Sequence, residues 1–162
     1  MLLLVEFQGR KVLNTIIALK GRRKIGKTQT IRTVDELLRA KYSDSTVELE
    51  RRTKVDLRVV LNVSGVKIGI ETQGSRLINE SLKLFVTLDC AIIICATRTS
   101  GGTFTAVNAL PGYEVVWLEQ QVQSAPFEQV LSNLATARQL VEETGRALPA
   151  ARPAALSRAA SA

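Results

Sequence analysis

The part of the chain that most constrains its fold is residues 21–28, which read GRRKIGKT. They follow an apolar, β-branched run at residues 15–19, which is typical of a buried parallel strand. Residues 28–42 come next and repeat apolar side chains at the spacing of one helix face, which predicts a helix with one buried side. A glycine-bounded loop between a strand and a helix is the context in which this spacing predicts a phosphate-binding site.

The residue types in this loop suit that chemistry. Gly21 and Gly26 let the backbone turn without Cβ clashes, so that successive N–H groups can point at phosphate oxygens. The helix that starts near Lys27 adds the positive end of its dipole. Lys27 is expected to bridge the β- and γ-phosphates, and the Thr28 hydroxyl is expected to ligate Mg²⁺. The alternative is a basic strand-to-helix loop that matches the spacing by accident.

The spacing G-x-x-x-x-G-K-T resembles the Walker A motif of P-loop NTPases at every fixed position. The resemblance implies that ATP or GTP is bound with Mg²⁺. The loop residues it implies as nucleotide contacts are Gly21, Arg22, Arg23, Lys24, Ile25, Gly26, Lys27, Thr28 and Gln29. The three basic residues inside this loop could raise phosphate affinity, or they could face solvent and contact an acidic partner.

Residues 56–71 alternate apolar and polar side chains on both sides of a Ser64-Gly65 pair, which predicts a β-hairpin. Its second strand ends in GIETQG, an acid followed by x-x-Gly, which resembles the D-x-x-G element of GTPases with a glutamate in place of the aspartate. The resemblance implies Glu71 as a Mg²⁺ ligand or catalytic base, Gln73 as a group that orients water, and Gly74 as a phosphate contact. An ordinary strand-end acid and a helix-entry glycine are the alternatives.

The apolar run at residues 90–96 predicts a central buried strand, and residues 97–103 form a loop at its carboxyl end. In open α/β sheets, ligands lie at this edge, so Arg98 is a candidate to stabilise charge on a transferring phosphoryl group. By position this loop corresponds to the base-recognition loop of GTPases, but it lacks their N-K-x-D pattern. Guanine specificity is therefore unsupported, and a solvated arginine in a glycine-rich turn is the alternative.

The remaining patterns complete one domain over residues 1–147 and a flexible C-terminal tail over 148–162. Residues 43–54 are polar without a clean period and predict an exposed connection. Helices are predicted at 75–88, 106–110 and 126–145, and a strand at 113–118. The apolar stripe of the last helix is interpreted as core packing. The predicted fold is a three-layer, P-loop NTPase-like α/β domain, with a mainly parallel sheet, an antiparallel hairpin strand and helices on both faces.

The composition of the chain limits the ligands, partners and catalytic groups that can be expected. The net charge of +7 favours anionic ligands or partners, whereas an aromatic content of 4% leaves little for base stacking, so nucleic acid is possible but not favoured. The absence of histidine excludes catalysis and metal binding by histidine. The two cysteines are interpreted as buried apolar residues of a reducing compartment. The apolar start of the chain is too short for a membrane span, so we expect a cytoplasmic protein without membrane contact.

The sequence thus predicts Mg²⁺-dependent binding of a nucleoside triphosphate with hydrolysis, as in a small NTPase or switch. Lys27, Glu71, Gln73 and Arg98 are the candidate catalytic residues, and Thr28 and Glu71 the candidate metal ligands. A small-molecule or nucleotide kinase is the first alternative. A second alternative is a non-catalytic binding or adaptor module, whose basic surface contacts an acidic protein or nucleic acid.

Overall fold

The computed structural model describes residues 13–22, 24–74 and 78–151. Within these ranges the chain forms six strands, four α-helices and one 3-10 turn. The strands are β1 (Asn14–Lys20), β2 (Thr46–Arg52), β3 (Leu57–Val63), β4 (Val66–Glu71), β5 (Ile92–Thr97) and β6 (Tyr113–Glu119). The helices are α1 (Lys27–Lys41), α2 (Ile78–Thr87), α3 (Gly102–Asn108) and α4 (Pro126–Ala147), and the 3-10 turn is Leu148–Ala150.

All six strands belong to one sheet in the order β2-β3-β4-β5-β1-β6. The pairs β4–β5, β5–β1 and β1–β6 are parallel, and the pairs β2–β3 and β3–β4 are antiparallel. The predicted hairpin and the mainly parallel sheet are therefore confirmed. Because Lys20 pairs with both Thr97 and Glu119, the carboxyl ends of β1, β5 and β6 lie side by side at one edge of the sheet.

The two faces of the sheet are covered by different helices. Ile17 and Leu19 of β1 join an apolar cluster with residues of α1 and α4. Ile16 and Ala18, which point the other way, join a second cluster with residues of α2 and α3. Successive side chains of a strand face opposite sides, so β1 is apolar throughout because it is buried on both. The helices predicted on both faces are confirmed.

The prediction of an exposed connection at residues 43–54 is wrong in part, because the middle of this segment forms the edge strand β2. Its side chains are mostly exposed on both faces, so the sequence shows no apolar alternation. Charge pairs take the place of apolar contacts: Glu48 binds Lys67 of β4 at 3.0 Å, and Glu50 binds Arg39 of α1 at 3.0 Å. A strand of this kind can be identified from the elements that it pairs with and contacts, but not from its own sequence pattern.

The prediction that the apolar stripe of α4 packs in the core is right for its second half and wrong for its first. Phe127, Val130 and Leu131 are 73%, 63% and 52% exposed. A Cβ on Gly26, just before α1, would meet Asn133 of α4, so α1 begins opposite the second turn of α4. The first turns of α4 therefore extend past the start of α1, and none of the described helices covers them.

Residues 148–151, which the sequence analysis assigns to the tail, pack against the domain. The Leu13 amide donates to the Ala150 carbonyl at 2.8 Å, and Ala151 is buried. The rest of the predicted tail, residues 152–162, lies outside the described residues, as do residues 1–12. None of the described helices combines the length and the apolar content needed to span a bilayer.

The packing of α2 on the sheet gives a testable prediction at Gly69. A Cβ at this position of β4 would lie 2.6 Å from Cγ of Phe85 in α2, closer than packed atoms approach. Gly69→Ala is therefore expected to lower the free energy of unfolding by about 1–3 kcal/mol through overpacking. The shift of the urea unfolding midpoint measures this loss.

Gly102→Ala is the matched control. A Cβ at Gly102, the first residue of α3, meets no atom within 4 Å, so this change should leave the free energy of unfolding unchanged or raise it by up to about 1 kcal/mol. Equal losses in the two variants would contradict the packing of Phe85 on Gly69.

Candidate functional site

The glycine-bounded loop runs from the carboxyl end of β1 to the amino end of α1, as the sequence predicts. Its first residue is held by the sheet, because the Gly21 amide donates to the Thr97 carbonyl of β5 at 3.2 Å. Gly26 has φ +91°, in the left-handed region, and caps the amino end of α1. A Cβ there would also meet Nδ2 of Asn133 at 2.7 Å. Glycine at this position therefore meets a conformational and a steric requirement.

Polar side chains of α4 and of the residue after β6 form hydrogen bonds that hold the start of α1 in place. The Thr30 hydroxyl of α1 lies 2.8 Å from Oε1 of Gln120, which is 3% exposed and follows β6. Nε2 of Gln120 donates to Oδ1 of Asn133 at 2.7 Å, and Gln129 donates to the same oxygen at 2.8 Å. The role of these side-chain amides was not predicted from the sequence. A signal was available, since Gln120 directly follows β6 at the edge where the loop lies.

The amino end of α1 opens onto a cleft. No acidic residue lies in its first turn and no side chain caps it, so its first amides point out of the helix. The cleft has a volume of about 710 Å³. It is lined by Lys24, Ile25, Gly26, Lys27, Thr28, Gln29, Arg32, Lys54, Val55, Asp56, Thr72, Gln73, Gly74, Ala96 and Arg98. Five of these side chains are cationic and one is a carboxylate, so the cleft is an anion-attracting surface.

The ammonium group of Lys27 lies inside the loop. Its Nζ donates to the carbonyls of Gly21 at 2.5 Å and Arg22 at 2.6 Å. Burial lowers the pKa of Lys27 below its usual value, and the positive charge of Arg98 lowers that pKa further. The positive charges of Lys27 and Arg98 therefore act on each other at the cleft.

Arg98 reaches the cleft from the end of β5. Its backbone amide donates to Oγ1 of Thr103 in α3 at 3.0 Å, which fixes the start of the segment. The helix predicted at 106–110 begins earlier, at Gly102, because Gly101 turns the chain at φ +90°. Gly74 lies close to β5 as well, since a Cβ there would be 2.9 Å from the Ala96 carbonyl oxygen. The segments after β4 and β5 are thus adjacent.

Glu71 does not line the cleft. Ile68 and Ile70 of β4 face α1 and α4, whereas Glu71 lies on the other face and is 2% exposed. Its carboxylate accepts a hydrogen bond from Nε of Arg58 at 2.8 Å, and Nη2 of Arg58 donates to Oγ of Ser81 in α2 at 2.8 Å. Burial raises the pKa of Glu71, and Arg58 opposes part of that shift. The structure therefore gives Glu71 a buried ion pair instead of a place beside Thr28.

Six of the residues that line the cleft were not predicted from the sequence: Arg32, Lys54, Val55, Asp56, Thr72 and Ala96. Asp56 precedes β3, and because β3 is antiparallel to β4 its amino end lies at the edge where the parallel strands end. This placement follows from the hairpin together with the position of β4 beside the parallel strand β5. Arg32 lies one turn after Thr28 on α1, and its Nη1 donates to the Val55 carbonyl at 2.9 Å. It holds the connection between β2 and β3 against α1.

The structure brings most of the predicted site together. Lys24 to Gln29 share the cleft with Gln73, Gly74 and Arg98. Gly21 and Arg22 do not line the cleft, but their carbonyls accept hydrogen bonds from Lys27, whereas Arg23 falls outside the described residues. Among the described residues, no group of three or more acidic or cysteine side chains is arranged to hold a metal ion.

Comparison with known proteins adds neither a family nor a function. No model of a protein family, no curated protein and no solved structure matches the chain.

The position of Glu71 gives a prediction about stability. Arg58→Ala leaves the buried Glu71 carboxylate without its counter-ion, so the free energy of unfolding should fall by about 3 kcal/mol at neutral pH. The pKa of Glu71 would rise further in this variant, so the folded state would bind a proton that the unfolded state has lost. The deficit should therefore shrink as the pH falls toward the usual pKa of a glutamate. Urea unfolding at pH 8 and pH 5 measures both effects.

Arg51→Ala is the control, because Arg51 pairs with Arg58 in the register of β2 and β3 but is exposed. It should change the free energy of unfolding by less than about 0.5 kcal/mol at either pH. A loss in Arg58→Ala no greater than in Arg51→Ala would show that Glu71 does not depend on Arg58.

Proposed function

We propose that the protein is a P-loop NTPase-like domain that binds ATP or GTP with Mg²⁺ in this cleft and hydrolyses it, as a small NTPase or switch. One observation carries the proposal. Lys27, whose ammonium group is held by the loop carbonyls, and the open amino end of α1 line the same cleft. Backbone amides at a helix amino end, a lysine beside them and glycines that allow close approach together favour a phosphate group.

The electrostatics of the cleft support an anionic ligand. Burial and the charge of Arg98 both disfavour the protonated form of Lys27, and a phosphate between the two cations would relieve their repulsion. A charge-assisted hydrogen bond to phosphate is stronger than one between neutral groups. The volume of about 710 Å³ is within the range of small-molecule sites, so it can accept a nucleotide.

The cleft also offers oxygen ligands that suit Mg²⁺. This ion keeps several waters and is held by one or two protein groups together with substrate phosphates, so it does not need a complete protein cage. The Thr28 hydroxyl lies in the first turn of α1 and lines the cleft. When bound, the ion would neutralise charge on the phosphate oxygens.

Two further residues have roles in hydrolysis under this proposal. The guanidinium of Arg98 would stabilise negative charge on the transferring group, because its charge acts on Lys27 in the same cleft. Gln73 would orient a water molecule from the opposite wall, where its Nε2 donates to Asp56 at 2.8 Å and thereby fixes the amide. Phosphoryl transfer depends mainly on such positioning and electrostatics.

Short connections at the edge of the sheet that carries the cleft favour a hydrolase over a kinase. A kinase needs an acceptor pocket and a lid that carries cationic side chains over the phosphates. Two of the described connections at this edge of the sheet are only four residues long. They are residues 53–56, between β2 and β3, and residues 98–101, between β5 and α3. Phosphate release without an added acceptor would distinguish a hydrolase from a kinase and from a non-catalytic binding module.

Nucleotide binding by Lys27→Ala tests the proposal. Isothermal titration with ATP, GTP and their diphosphates in Mg²⁺ should show micromolar binding of a triphosphate to the wild type. Removing the Lys27 ammonium should weaken that binding by about tenfold or more, as expected for a charge-assisted contact.

Lys41→Ala is the matched control, because it removes the same charge from the last residue of the same helix. It should bind the triphosphate as the wild type does. Equal weakening in both variants would show a general effect of charge, and no binding to the wild type at about 1 mM nucleotide would contradict the proposal.

A further inference from the structure

The cleft contains one acidic side chain among many cationic ones, and this exception needs an explanation. Asp56 carries the sole carboxylate among the described residues that line the cleft. A carboxylate close to a triphosphate is unfavourable unless a cation lies between them, because both groups are negatively charged and repel each other. A carboxylate in an anion-binding cleft therefore either weakens binding or serves to hold a cation with the anion.

The carboxylate of Asp56 is held in a fixed orientation. Its Oδ2 accepts a hydrogen bond from Nε2 of Gln73 at 2.8 Å, and its Oδ1 lies 3.2 Å from the Thr72 hydroxyl. An ionised carboxylate has about four lone-pair positions, so each oxygen keeps acceptor capacity beyond these bonds. Gln73 and Thr72 follow β4 directly, so the end of that strand orients the acid.

The segment that carries Asp56 is also fixed to α1. The Thr53 hydroxyl accepts hydrogen bonds from the amides of Val55 at 3.2 Å and Asp56 at 2.8 Å, which closes a tight turn. Arg32 binds the Val55 carbonyl of that turn at 2.9 Å. Because Arg32 lies four residues after Thr28, both project from one face of α1. The turn with Asp56 is thus attached to the helix face that begins at Thr28.

The acid expected from the sequence does not compete for this role. Glu71 lies on the opposite face of the sheet, and its carboxylate is bound by Arg58. Asp56 reaches the cleft because it enters the antiparallel strand β3 at the edge where β4 ends. The hairpin therefore supplies the cleft with a carboxylate from a different part of the chain.

We propose that Asp56 is the carboxylate that holds the Mg²⁺ of the bound nucleotide, together with Thr28, and that Gln73 and Thr72 are its positioning residues. This inference rests on the proposed function, since the phosphates supply the remaining ligands. Mg²⁺ bound by one carboxylate, a hydroxyl, phosphate oxygens and water has the oxygen environment that the ion prefers. Asp56 contacts the ion directly or through one of its waters.

Nucleotide affinity with and without the metal tests this role. The dissociation constant of a non-hydrolysable triphosphate analogue is measured in Mg²⁺ and in EDTA for wild type, Asp56→Asn and Glu119→Gln. In the wild type, Mg²⁺ should tighten binding by about tenfold or more. Asp56→Asn should lose that gain and bind in EDTA at least as tightly as the wild type, because a charge that repels phosphate is gone. Glu119→Gln, an exposed acid at the end of β6, should keep the gain.

Two additional measurements cover the case in which Asp56→Asn does not fold. A thermal melt of Asp56→Asn establishes that it is folded. If it is not, Gln73→Leu, which leaves the carboxylate but removes one positioning bond, should lower the affinity for Mn²⁺ in the nucleotide complex by about tenfold, measured by electron paramagnetic resonance.

The outcomes separate the two proposals. If the wild type binds the analogue neither in Mg²⁺ nor in EDTA, the proposed function fails. If the wild type gains affinity from Mg²⁺ and a folded Asp56→Asn gains as much, the function stands and the role of Asp56 is overturned. Unchanged Mn²⁺ affinity in Gln73→Leu would overturn the positioning role.

Discussion

The close contact between Gly26 and Asn133 is the constraint on which the candidate site depends. Gly26 turns the chain into α1 through a left-handed conformation, and Asn133 occupies the space that a Cβ would need. Gln120 then connects Asn133 to Thr30 inside the first turns of α1. The amino end of α1 is therefore fixed to both β6 and α4. A helix end held in this way keeps its amides directed into the cleft without a side-chain cap.

The sheet separates two kinds of charge arrangement. On the face of α2, Arg58 and Glu71 neutralise each other in a buried pair. At the carboxyl edge, Lys27 and Arg98 face the same cleft and repel, which contributes to the lowered pKa of Lys27. The first arrangement is satisfied within the protein, whereas the second is favourable only when an anion lies between the cations. The cleft, unlike the buried pair, therefore has a charge arrangement that favours an anionic ligand.

Local patterns in the sequence predicted most of the fold. The strand before Gly21, the helix after it and the hairpin around Ser64-Gly65 are all confirmed, because each has an apolar period or a turn signal of its own. The edge strand β2 was missed because charge pairs replace apolar alternation there. The exposed start of α4 was misread because its length relative to α1 is a property of the packing.

The position of the loop in the candidate site could be predicted from the sequence, whereas the positions of the acidic residues Glu71 and Asp56 could not. The G-x-x-x-x-G-K-T spacing located Lys27 and Thr28 at the cleft, since the loop is continuous in sequence. Which face Glu71 occupies depends on the register of β4 against β3 and β5, and a one-residue shift would reverse it. Asp56 reaches the site through the antiparallel direction of β3, a consequence of the hairpin that requires the sheet order as well.

The most direct test of a nucleotide site at this cleft is an NMR titration that follows the backbone amide chemical shifts of the protein. The titrants are Mg²⁺ and non-hydrolysable analogues of ATP and GTP. If the account is correct, the largest shifts occur at Lys24 to Gln29 and at Arg98, while the amides around Ser81 on the opposite face stay in place. No shifts up to about 1 mM analogue, or shifts that avoid the loop, would contradict it.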